Sequence, residues 1–581
     1  MSKNREIAEI FDKIADILEL LNENPFRIRA YRNAGANIRE LTGDIEDLAE
    51  RGELTGIPGV GPDLAGKIKE FISTGKIEDY EKLRKRVSEE LTGLLDIQGL
   101  GPKTIIKLNK ELSIKNLEDL ERALEMGEVL KLRGMGEKKV EDIKRGIELF
   151  KKSRERIPLG IALPLAEDIV RRISKIPGTK GTAIAGSVRR MKETIGDIDI
   201  LTEARDGERV VKAFTNLPFV KEVLAAGDTK GSVVLENGIQ VDLRVVEPES
   251  YGAALLYFIG SKAHNIKLRT IALEKGLKIN EYGIFRGDKK IAGETEKGIY
   301  ETLGLQWIPP EIREDRGEIE AAQYGKLPDL VKLEDIKGDL QMHSIWSDGK
   351  ATIEEMALKA KGLGYEYIAM TDHSPSSRIA GGLSIERLYE KKREVDALNK
   401  KLKGIKILMG SEVDIKSDGS LDYPDEVLKD LDIAIASVHS GFKMDMESMT
   451  KRIVKALKNP FIHFLVHPTG RLIGRREGYE VDMDEIIRTA KEYGKALEVN
   501  SHYLRLDLND INVRKAVNAG VKIVISTDSH APDELDMMRL GVATARRGWA
   551  EKKDVLNTMR LNELSKWLND IRNTGIGQRG K

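Results

Sequence analysis

The sequence predicts a multidomain protein of the α+β and α/β classes, with a helical N-terminal region, a central mixed sheet and a C-terminal barrel of parallel strands. The chain has 581 residues, more than a single hydrophobic core accommodates. A Gly-hydrophobic-Gly pattern occurs three times near the N-terminus. From residue 334, apolar runs that end in polar side chains alternate with helical segments, which is typical of a barrel whose site lies at the carboxyl ends of its strands.

The amino-acid composition limits the classes of function. The chain contains no Cys, so disulfides, thiolate metal sites and Cys nucleophiles are excluded, and any metal must bind to His and carboxylates. Lys plus Arg and Asp plus Glu both number 96, but residues 101–200 carry a basic excess that is compatible with a nucleic-acid partner. No apolar run approaches the roughly 18 residues that span a bilayer. We therefore expect a soluble, cytoplasmic protein without a membrane partner.

The repeated glycine pattern predicts helix-hairpin-helix elements. It occurs as GIPGVG (56–61), DIQGLG (96–101) and KLRGMG (131–136), each between helical segments and each before a Lys-bearing amphipathic helix. Glycines at such hairpins let backbone N–H groups approach a DNA phosphate, and the Lys side chains add charge without reading the base sequence. One copy would fit a plain helical turn, but three copies favour DNA binding. The predicted DNA-binding glycines are Gly59, Gly61, Gly99, Gly101, Gly134 and Gly136.

Three acids in the central region predict a two-metal site. Between residues 157 and 245, β-branched runs alternate with helical segments, which predicts an α/β sheet. Asp197 and Asp199 are two residues apart in one predicted strand, so their side chains share a face. Asp242 lies in a second strand-like run. Three such carboxylates bind two Mg²⁺ ions, which activate a 3′-hydroxyl and neutralise a triphosphate.

Residues that suit a nucleotide precede these acids. Gly186 and Ser187 form a predicted turn before a helix, where backbone N–H groups bind phosphate oxygens. Arg190 offers a guanidinium to the same phosphates, and Gly196 directly precedes the first acid. A lone Asp-x-Asp is common on exposed strands, so the prediction depends on the acids and the Gly-Ser turn together.

Residues 1 to about 317 resemble a family X DNA polymerase of the polymerase beta type. The resemblance is carried by the Gly-Ser and Asp-Ile-Asp motifs, the separate third Asp and the stretch LLYFIGSKAHNIKLRTIALEKGLKINEYGIF. It implies that Tyr257 and Phe258 are the aromatic pair that discriminates the sugar. It further implies that Asn265 contacts the base of the incoming nucleotide and that Arg269 contacts the template strand. Tyr257 and Phe258 also fit a plain core position.

Three positions depart from the family pattern near the nucleotide. Lys262 and Ala263 replace the residues usual beside it, and Gln240 replaces the Arg that usually stands two residues before the third Asp. These departures affect the expected fidelity and nucleotide affinity rather than the reaction type.

The N-terminal segment resembles the family's small lyase domain. Lys67 falls on the Schiff-base lysine, which attacks the aldehyde of an abasic sugar as a free amine. Tyr31 is retained, whereas Arg27 stands for a phosphate-binding Lys and Asp63 stands where a Lys is usual. Lyase chemistry and simple phosphate binding both remain open for this segment.

The C-terminal part groups most of the His residues of the chain. Of eight His, five follow predicted strands and are accompanied by three acids. The candidate ligands are His343, His373, His439, His467 and His530 with Asp348, Glu412 and Asp528. His and carboxylates without thiolates suit Mn²⁺, Zn²⁺ or Fe²⁺. Such ions activate water near neutral pH and bind phosphate, so the predicted chemistry is phosphoester hydrolysis.

Residues 334 to about 572 resemble the polymerase and histidinol phosphatase (PHP) domain through the motifs HSIWSDG, TDHS, GSEVD, VHS, VHP and STDSH. The resemblance implies a distorted (β/α)7 barrel that binds up to three metals. Gln341 replaces the first His of the family pattern. Because an amide is a weaker ligand than imidazole, one metal is expected to bind loosely or not at all. An active phosphoesterase and a catalytically weak, structural PHP domain both remain open.

These observations predict six regions and one composite function. The regions are a lyase-like, DNA-end-binding domain (1–90), hairpin fingers (91–156), a nucleotidyltransferase palm (157–245), a thumb (246–317), a linker (318–333) and the PHP domain (334–581). The predicted function is a DNA repair polymerase that adds dNTPs at short gaps, with a metal-dependent 3′–5′ exonuclease in the PHP domain. The alternative from another class is a non-catalytic scaffold for DNA ends. We expect a monomer whose partners are gapped or primer-template DNA and dNTPs.

Overall fold

The computed structural model describes residues 3–21, 23–39, 45–57, 59–84, 86–87, 89–97 and 100–579. Gly99, one of the glycines predicted to contact DNA, lies outside these residues. Within the described ranges, no helix is long and apolar enough to cross a membrane.

The N-terminal region is helical where it is described, and its helices enclose two hydrophobic cores. The first core contains Phe11 and Ile68 and the second contains Ile105 and Ile143. The helices are α1 (Lys3–Leu20), α2 (Pro25–Arg39), α3 (Ile45–Glu50), α4 (Pro62–Thr74), α5 (Glu78–Arg84), α6 (Glu89–Gly93), α7 (Pro102–Leu112), α8 (Leu117–Glu125) and α9 (Glu137–Glu155).

The Gly-hydrophobic-Gly stretches turn the chain between helices in the same way. The middle residue, which is Val60, Leu100 or Met135, is buried in the core of its region. The glycine after it is extended and forms the N-cap of α4, α7 or α9. Gly59 and Gly134, which precede the middle residue, have φ values of +79° and +81°, a conformation that favours glycine. The buried residue anchors each hairpin, while Gly59, Gly61, Gly101, Gly134 and Gly136 are exposed.

The central region is a five-stranded sheet with helices on one face. Its elements are β1 (Ile157–Pro158), α10 (Leu159–Ile173), β2 (Lys180–Ile184), α11 (Gly186–Arg189), β3 (Thr194–Ile195), β4 (Asp197–Glu203), α12 (Gly207–Thr215), β5 (Val220–Ala226), β6 (Lys230–Leu235) and β7 (Gln240–Val246). The strand order is β2-β4-β7-β6-β5, and β1 pairs separately with β3. Ile198 and Ile200 on β4 and Leu243 on β7 are buried in a core shared with α10 and α12. Because side chains alternate along a strand, Asp197 and Asp199 face the opposite side.

A smaller region follows, and the segment after it packs against both neighbours. The elements are α13 (Tyr251–Ile259), α14 (Lys262–Glu274), the antiparallel strands β8 (Lys278–Asn280), β9 (Gly283–Arg286) and β10 (Lys289–Ala292), then α15 (Glu296–Thr302) and α16 (Glu318–Gln323). The predicted linker, residues 318–333, contains α16. Its Ile319 and Leu330 are buried in the core of the small region, and its Val331 is buried in the C-terminal core. This segment therefore joins the two regions by packing rather than as an extended tether.

The C-terminal region is a parallel barrel. Its elements are β11 (Gly338–Met342), α17 (Ile353–Gly362), β12 (Tyr367–Met370), α18 (Ile385–Lys401), β13 (Lys406–Asp414), α19 (Asp425–Lys429), β14 (Ile433–Ser437), α20 (Met446–Leu457), β15 (Phe464–Leu465), α21 (Met483–Glu492), β16 (Ala496–Asn500), α22 (Asp510–Ala519), β17 (Ile523–Ser526), α23 (Met538–Arg547) and α24 (Leu561–Arg579). The seven strands pair in chain order. A parallel bridge from Met342 to Ser529 and a 2.9 Å bond from the His343 N–H to the Ser529 carbonyl nearly close the barrel. The predicted fold class is confirmed.

The barrel packs directly on helix α10 of the central region. Leu506 and Leu540 of the barrel are part of the same hydrophobic core as α10. A Cβ added at Gly160 on α10 would lie 2.3 Å from the Cβ of Tyr503, so this glycine permits the close approach of the two regions. Arg539 forms an ion pair of 2.9 Å with Glu167 at the same contact.

Candidate active sites

The first candidate site is an acidic triad on the central sheet. Asp199 on β4 lies directly opposite Asp242 on the neighbouring parallel strand β7, and Asp197 precedes Asp199 on the same face. Ligand oxygens of the three acids lie within 4.8 Å of one another. The Ser232 hydroxyl and the Gln240 amide, the latter at 3.2 Å, donate to Asp242 Oδ1. The structure thus brings together the three acids that the sequence predicts as metal ligands.

The charge of this triad is not balanced by its neighbours. Burial, followed by the charges of Asp197 and Asp242, raises the pKa of Asp199 to about 7, despite the opposing charges of Arg190 and Arg244. Close carboxylates that repel one another are stabilised by divalent cations, which prefer oxygen ligands. The donor set and its excess of negative charge therefore fit the Mg²⁺ ions expected for the triad.

The glycine that begins α11 touches the triad. Gly186 has φ of +58°, and a Cβ at this position would lie 1.9 Å from Asp199 Oδ2. Both the backbone conformation and the space therefore require glycine. The next residue, Ser187, is half-buried, and Gly196 lies between β3 and β4, one residue before the acids.

Arg190 follows α11 and is paired inside the protein. Its Nε lies 3.2 Å from Glu314 Oε1, and its Nη1 donates to the Ile259 carbonyl. The sequence predicts Arg190 near the nucleotide phosphates, and the structure adds that the Glu314 carboxylate pairs with its guanidinium.

The residues that the resemblance assigns to contacts with the nucleotide and the template also lie together. Tyr257 and Phe258 are half-buried at the end of α13, and their rings meet edge to face at 5.2 Å. Asn265 donates to the Tyr257 carbonyl over 2.8 Å. Arg269 lies over the Tyr257 ring at 5.3 Å and Arg244 lies over the Phe258 ring at the same distance. The aromatic pair is therefore partly accessible, unlike a plain core position.

Lys67 lies in an acidic environment. Its Nζ is 2.6 Å from Asp63 Oδ2 and 3.7 Å from Asp79 Oδ2. Burial would lower the pKa of Lys67, but the Asp63 hydrogen bond and Tyr31 outweigh it, and the pKa is raised. Arg27 also pairs with Asp79, at 2.9 Å. Without DNA, the amine is therefore held in its charged form, which is not nucleophilic.

The described hairpin glycines are exposed. Gly61, Gly101 and Gly136 have ordinary extended φ values of −80°, −82° and −69°. A Cβ added at any of them would meet no heavy atom within 4 Å in the described part of the chain. Neither backbone conformation nor internal packing therefore requires glycine at these positions. A molecule that approaches the backbone closely from outside the protein would require glycine there.

The second candidate site lies at the carboxyl ends of the barrel strands. Its His and acid side chains form three overlapping groups, each with ligand atoms within 4.8 Å of one another. The groups are His343, Asp348, His373 and His530; His373, Glu412 and His439; and His343, Glu412 and Asp528. His467, the remaining predicted ligand, has its Nε2 3.0 Å from Glu412 Oε1.

Several buried ligand atoms in this cluster have no hydrogen-bond partner. His343 Nε2 lies 3.2 Å from oxygens of both Glu412 and Asp528, yet these contacts lack hydrogen-bond geometry. The buried Nδ1 atoms of His373 and His467 likewise have no partner among the described residues. Buried polar atoms are normally satisfied, so the arrangement fits the metal ions that a His and carboxylate donor set binds.

The acids of the cluster are held in their charged forms. Burial alone would raise the pKa of Glu412 and of Asp528, but the neighbouring His and Arg side chains keep both well below the usual range. Burial alone would lower the pKa of His439, but Glu412 and Asp414 raise it to about 10. The protonated His439 ring compensates part of the carboxylate charge. Metal binding at this site is therefore expected to release protons.

Gln341 meets the two central carboxylates with its amide group. Its Nε2 donates to Glu412 Oε2 over 3.0 Å and to Asp528 Oδ1 over 3.3 Å, while its buried Oε1 has no partner within the described structure. The amide therefore supplies hydrogen bonds where the imidazole of the family pattern would coordinate a cation. This observation agrees with the expectation that one metal binds weakly.

Two candidate ligands have backbone conformations that residues other than glycine rarely adopt. His467 has φ of +31° and Asp528 has φ of +55°, a region that costs about 1–2 kcal/mol for non-glycine residues. The His467 N–H donates to Glu498 over 2.6 Å, and the Asp528 N–H donates to the Gln341 carbonyl over 3.1 Å. Such conformations persist where surrounding contacts fix them, and they cluster at functional sites.

Sequence reasoning missed the residues that support these ligands. Asp414 Oδ1 accepts a hydrogen bond from His439 Nδ1 over 2.8 Å and so orients the ring. Arg505 Nε lies 3.4 Å from Asp528 Oδ2. The buried Lys391 pairs with Asp372 at 2.7 Å beside the His373 turn. Asp414 was detectable, because it stands two residues after Glu412 on the same face of β13, whereas Arg505 and Lys391 had no local signal.

A cavity of about 950 Å³ opens above the cluster. Basic residues at its lining include Lys350, Arg378, Lys416 and Arg505. A cavity with a carboxylate and His floor and a basic rim suits a phosphate-bearing substrate rather than a neutral one.

The two sites define the class of protein. An acidic triad beside a Gly-Ser turn defines a nucleotidyltransferase, and a His and carboxylate cluster in a seven-stranded barrel defines a metal-dependent phosphoesterase. Residues 2–77 match a helix-hairpin-helix domain, and residues 91–148 match a SAM-like helix-hairpin-helix tandem. Residues 254–314 match the DNA polymerase beta thumb, and residues 339–502 match the PHP domain.

Curated relatives agree with both halves. The chain is 42% identical over 571 residues, 97% of its length and 99% of the relative's, to the DNA polymerase/3′-5′ exonuclease PolX of Bacillus subtilis (strain 168). It is 27% identical over 53% of its length, and 62% of the relative's, to DNA polymerase lambda of Arabidopsis thaliana. It is 32% identical over 38% of its length, and 89% of the relative's, to a probable phosphatase of Thermoanaerobacter sp. (strain X514). The chain belongs to the family X DNA polymerases that carry a C-terminal PHP domain, so the predicted family is confirmed.

Proposed function

We propose that this chain is a DNA repair polymerase that adds dNTPs to a 3′-hydroxyl at short gaps and a metal-dependent exonuclease that shortens DNA from the 3′-end. The observation that carries the proposal is the presence of two separate metal-capable clusters in one chain. The full-length similarity to a bacterial polymerase and 3′-5′ exonuclease supports it. Incubating the protein with a gapped, 5′-labelled primer, with and without dNTPs, tests both activities in one assay.

In the palm, each residue has a proposed role in nucleotidyl transfer. Asp197, Asp199 and Asp242 would hold two Mg²⁺ ions, which would stabilise the charge of an in-line phosphoryl transfer. The backbone of Gly186 and the Ser187 hydroxyl bind phosphate oxygens beside the triad, and Gly196 leaves room for them. Arg190 leaves Glu314 to contact the triphosphate.

The thumb residues select the nucleotide and hold the template. Tyr257 and Phe258 present ring edges to the sugar, and Asn265 contacts the base of the incoming nucleotide. Arg269, which lies over the Tyr257 ring, contacts the template strand.

In the barrel, the proposed ligands would hold Mn²⁺, Zn²⁺ or Fe²⁺, and such ions would supply activated water and a binding site for phosphate. Asp414 holds the His439 ring in place, and Arg505 lies beside Asp528, where it is available to the substrate phosphate. The alternative is a structural barrel without turnover. The polar atoms without partners and the cavity above the cluster favour an active site.

The hairpins are proposed to bind the DNA backbone. Replacing Gly101 or Gly136 by Ala should weaken binding to all duplex sequences several-fold, because the added methyl group blocks a close approach of phosphate to the backbone N–H groups. Thermal stability should not fall, because the methyl group meets no atom of the described residues within 4 Å. Fluorescence anisotropy with duplexes of different sequence measures the affinity.

Gly362→Ala is the matched control for the hairpin variants. A Cβ at Gly362 also meets nothing within 4 Å in the described structure, but this residue lies in the barrel helix α17. It should bind DNA like the parent protein. Equal affinity of the parent and the hairpin variants would contradict the proposed role of the hairpins.

The acidic triad is expected to destabilise the metal-free protein at neutral and alkaline pH. Folding raises the pKa of Asp199 from 3.8 to about 7, so the folded state disfavours the charged carboxylate. The penalty is complete above about pH 7 and is lost as the pH falls toward about 4. Asp199→Asn should therefore raise the melting temperature of the metal-free protein most strongly at about pH 8, as measured by calorimetry.

Glu222→Gln, on the exposed face of β5, is the control for this measurement and should change the melting temperature little at any pH. Adding Mg²⁺ should stabilise the parent protein more than Asp199→Asn. A melting temperature of Asp199→Asn equal to that of the parent across this pH range would be inconsistent with a repelling triad.

A second candidate activity is a lyase at Lys67, and the neighbouring acid Asp63 provides a specific test of it. Asp63→Ala removes the 2.6 Å hydrogen bond to Lys67 and should lower the pKa of the amine. The yield of borohydride-trapped adduct with an abasic 5′-phosphate should therefore rise. Lys67→Ala should abolish the adduct, whereas Lys69→Ala, an exposed Lys on the same helix, should not. Trapping by Lys67→Ala at the parental level would exclude Lys67 as the nucleophile.

A further inference from the structure

A buried network of charged side chains joins the barrel to the turn that carries Arg190. Arg547 is the last residue of α23 in the barrel, and its side chain is only 4% exposed. Its Nη1 donates to the backbone carbonyl of Arg190 over 2.7 Å and to Glu314 Oε1 over 3.1 Å. Its Nη2 donates to Asp510 Oδ2 over 2.7 Å. One barrel side chain therefore holds both the backbone of Arg190 and the carboxylate that Arg190 pairs with.

Glu314 is shared between the palm and the barrel. Arg190 and Arg547 bind the same oxygen, Oε1, at 3.2 Å and 3.1 Å. Glu314 is 13% exposed, and burial would raise its pKa, but the two guanidinium groups outweigh burial and lower it. Glu314 is therefore ionised, and its single charge is divided between two cations.

This sharing affects how tightly Arg190 is held. A carboxylate with two cationic partners binds each of them less strongly than it would bind one alone, because the second cation repels the first. An anionic triphosphate at the palm site would compete with Glu314 for the Arg190 guanidinium. Once the guanidinium leaves, Arg547 remains to neutralise Glu314, so no buried charge is left unpaired.

We infer that Arg547 of the barrel is a positioning residue for the palm site, which shares Glu314 with Arg190 and so keeps the Arg190 guanidinium available to the triphosphate of the incoming nucleotide. The inference rests on the proposed polymerase function. It assigns the PHP barrel a part in nucleotide binding in addition to its own metal-capable cluster. Among the described residues, Arg190 and Arg547 are the side chains that donate to Glu314, so loss of the barrel residue would leave the carboxylate hydrogen-bonded to Arg190.

Among the described residues, other ion pairs between the barrel and the rest of the chain do not include Arg190 or Glu314. Arg546, adjacent to Arg547, pairs with Glu311 at 2.8 Å and donates to the Val331 carbonyl over 2.9 Å. Arg539 pairs with Glu167. These contacts fasten the same regions together but leave Arg190 and Glu314 untouched, so Arg546 supplies a matched control on the same helix.

The test is single-nucleotide incorporation with the full-length protein. Arg547→Met should raise the KM for dNTP about tenfold, as expected for one charge-assisted hydrogen-bond network, with a much smaller change in kcat. Arg546→Met should leave both values near those of the parent. Arg547→Lys should recover part of the KM, because it restores a charge beside Glu314 without the bidentate geometry.

A double-mutant cycle distinguishes positioning from simple bracing. In a Glu314→Gln background, Arg547→Met should change KM far less than in the parent, because the shared carboxylate charge is gone. Additive effects of the two substitutions, or equal KM values in Arg547→Met and Arg546→Met, would overturn the inference. If Arg547→Met does not fold, the same cycle with Arg547→Lys decides by the same criterion. A parent protein that does not extend primers would contradict the proposed function instead.

Discussion

Replacing Asp197 and Asp199 together by Ala should reduce primer extension by more than about a hundredfold, since loss of residues that merely orient metal ligands costs up to that amount. The two acids lie on one face of β4 and share the metal site with Asp242. Their removal leaves a single carboxylate, which cannot hold two ions in the geometry of in-line transfer. Extension of a 5′-labelled primer across a short gap, followed on a denaturing gel, gives the rate.

The double variant should fold and keep its second activity. Removing two repelling carboxylates relieves the unfavourable charge that raises the pKa of Asp199, so the metal-free protein should not lose stability. Shortening of the 3′-end in the absence of dNTPs should continue at the parental rate, and Glu222→Ala on the same sheet should alter neither activity. Near-parental extension by the double variant would contradict the assignment of the triad as the metal ligands of the polymerase site.

Replacing His343 or Asp528 by Ala should reduce 3′-end shortening by more than about a hundredfold and leave extension largely intact. His343 belongs to two of the three ligand groups, and its Nε2 lies 3.2 Å from both Glu412 and Asp528. Loss of the His343 ring therefore affects two overlapping ligand groups, and loss of Asp528 removes a carboxylate from the group that it forms with His343 and Glu412. The residual activity should depend on the metal supplied, with Mn²⁺ more effective than Mg²⁺, which binds imidazole poorly.

The palm double variant is the reciprocal control for these substitutions, because it should show the opposite pattern in the same assay. A 5′-labelled single strand with no dNTPs measures shortening, and added dNTPs with a template measure extension. If both His343→Ala and Asp528→Ala shortened DNA at the parental rate, another part of the chain would carry the nuclease.

The helix-hairpin-helix elements show how far local pattern alone defines structure. Three short stretches with the same glycine spacing suffice to predict them, because the turn depends on residues within one hairpin. The structure adds the reason for each position: Val60, Leu100 and Met135 are buried, while the glycines after them are exposed. Gly99 lies outside the described residues, so its contact with DNA stays a prediction.

The barrel cluster shows the same reasoning at longer range. That its side chains lie together could be predicted, because parallel strands bring their carboxyl ends to one edge. Gln341 and Asp528, which are 187 positions apart, meet there. The direction of the Gln341 amide could not be predicted. The amide Nε2 donates to both Glu412 and Asp528, and its buried Oε1 has no partner in the described structure. This direction depends on where the folded barrel places the two carboxylates.

The sequence by itself determined the family, the order of the regions and the identity of the proposed ligands, because these follow from short motifs and from the alternation of side chains along strands. Only the tertiary structure decided how charge is balanced at each site. Asp63 and Asp79 hold Lys67 in its charged form, and Arg547 shares Glu314 with Arg190 across 233 positions of the chain. The physical reason is that desolvation and electrostatic attraction depend on packing and distance in space, and no spacing along the chain encodes them.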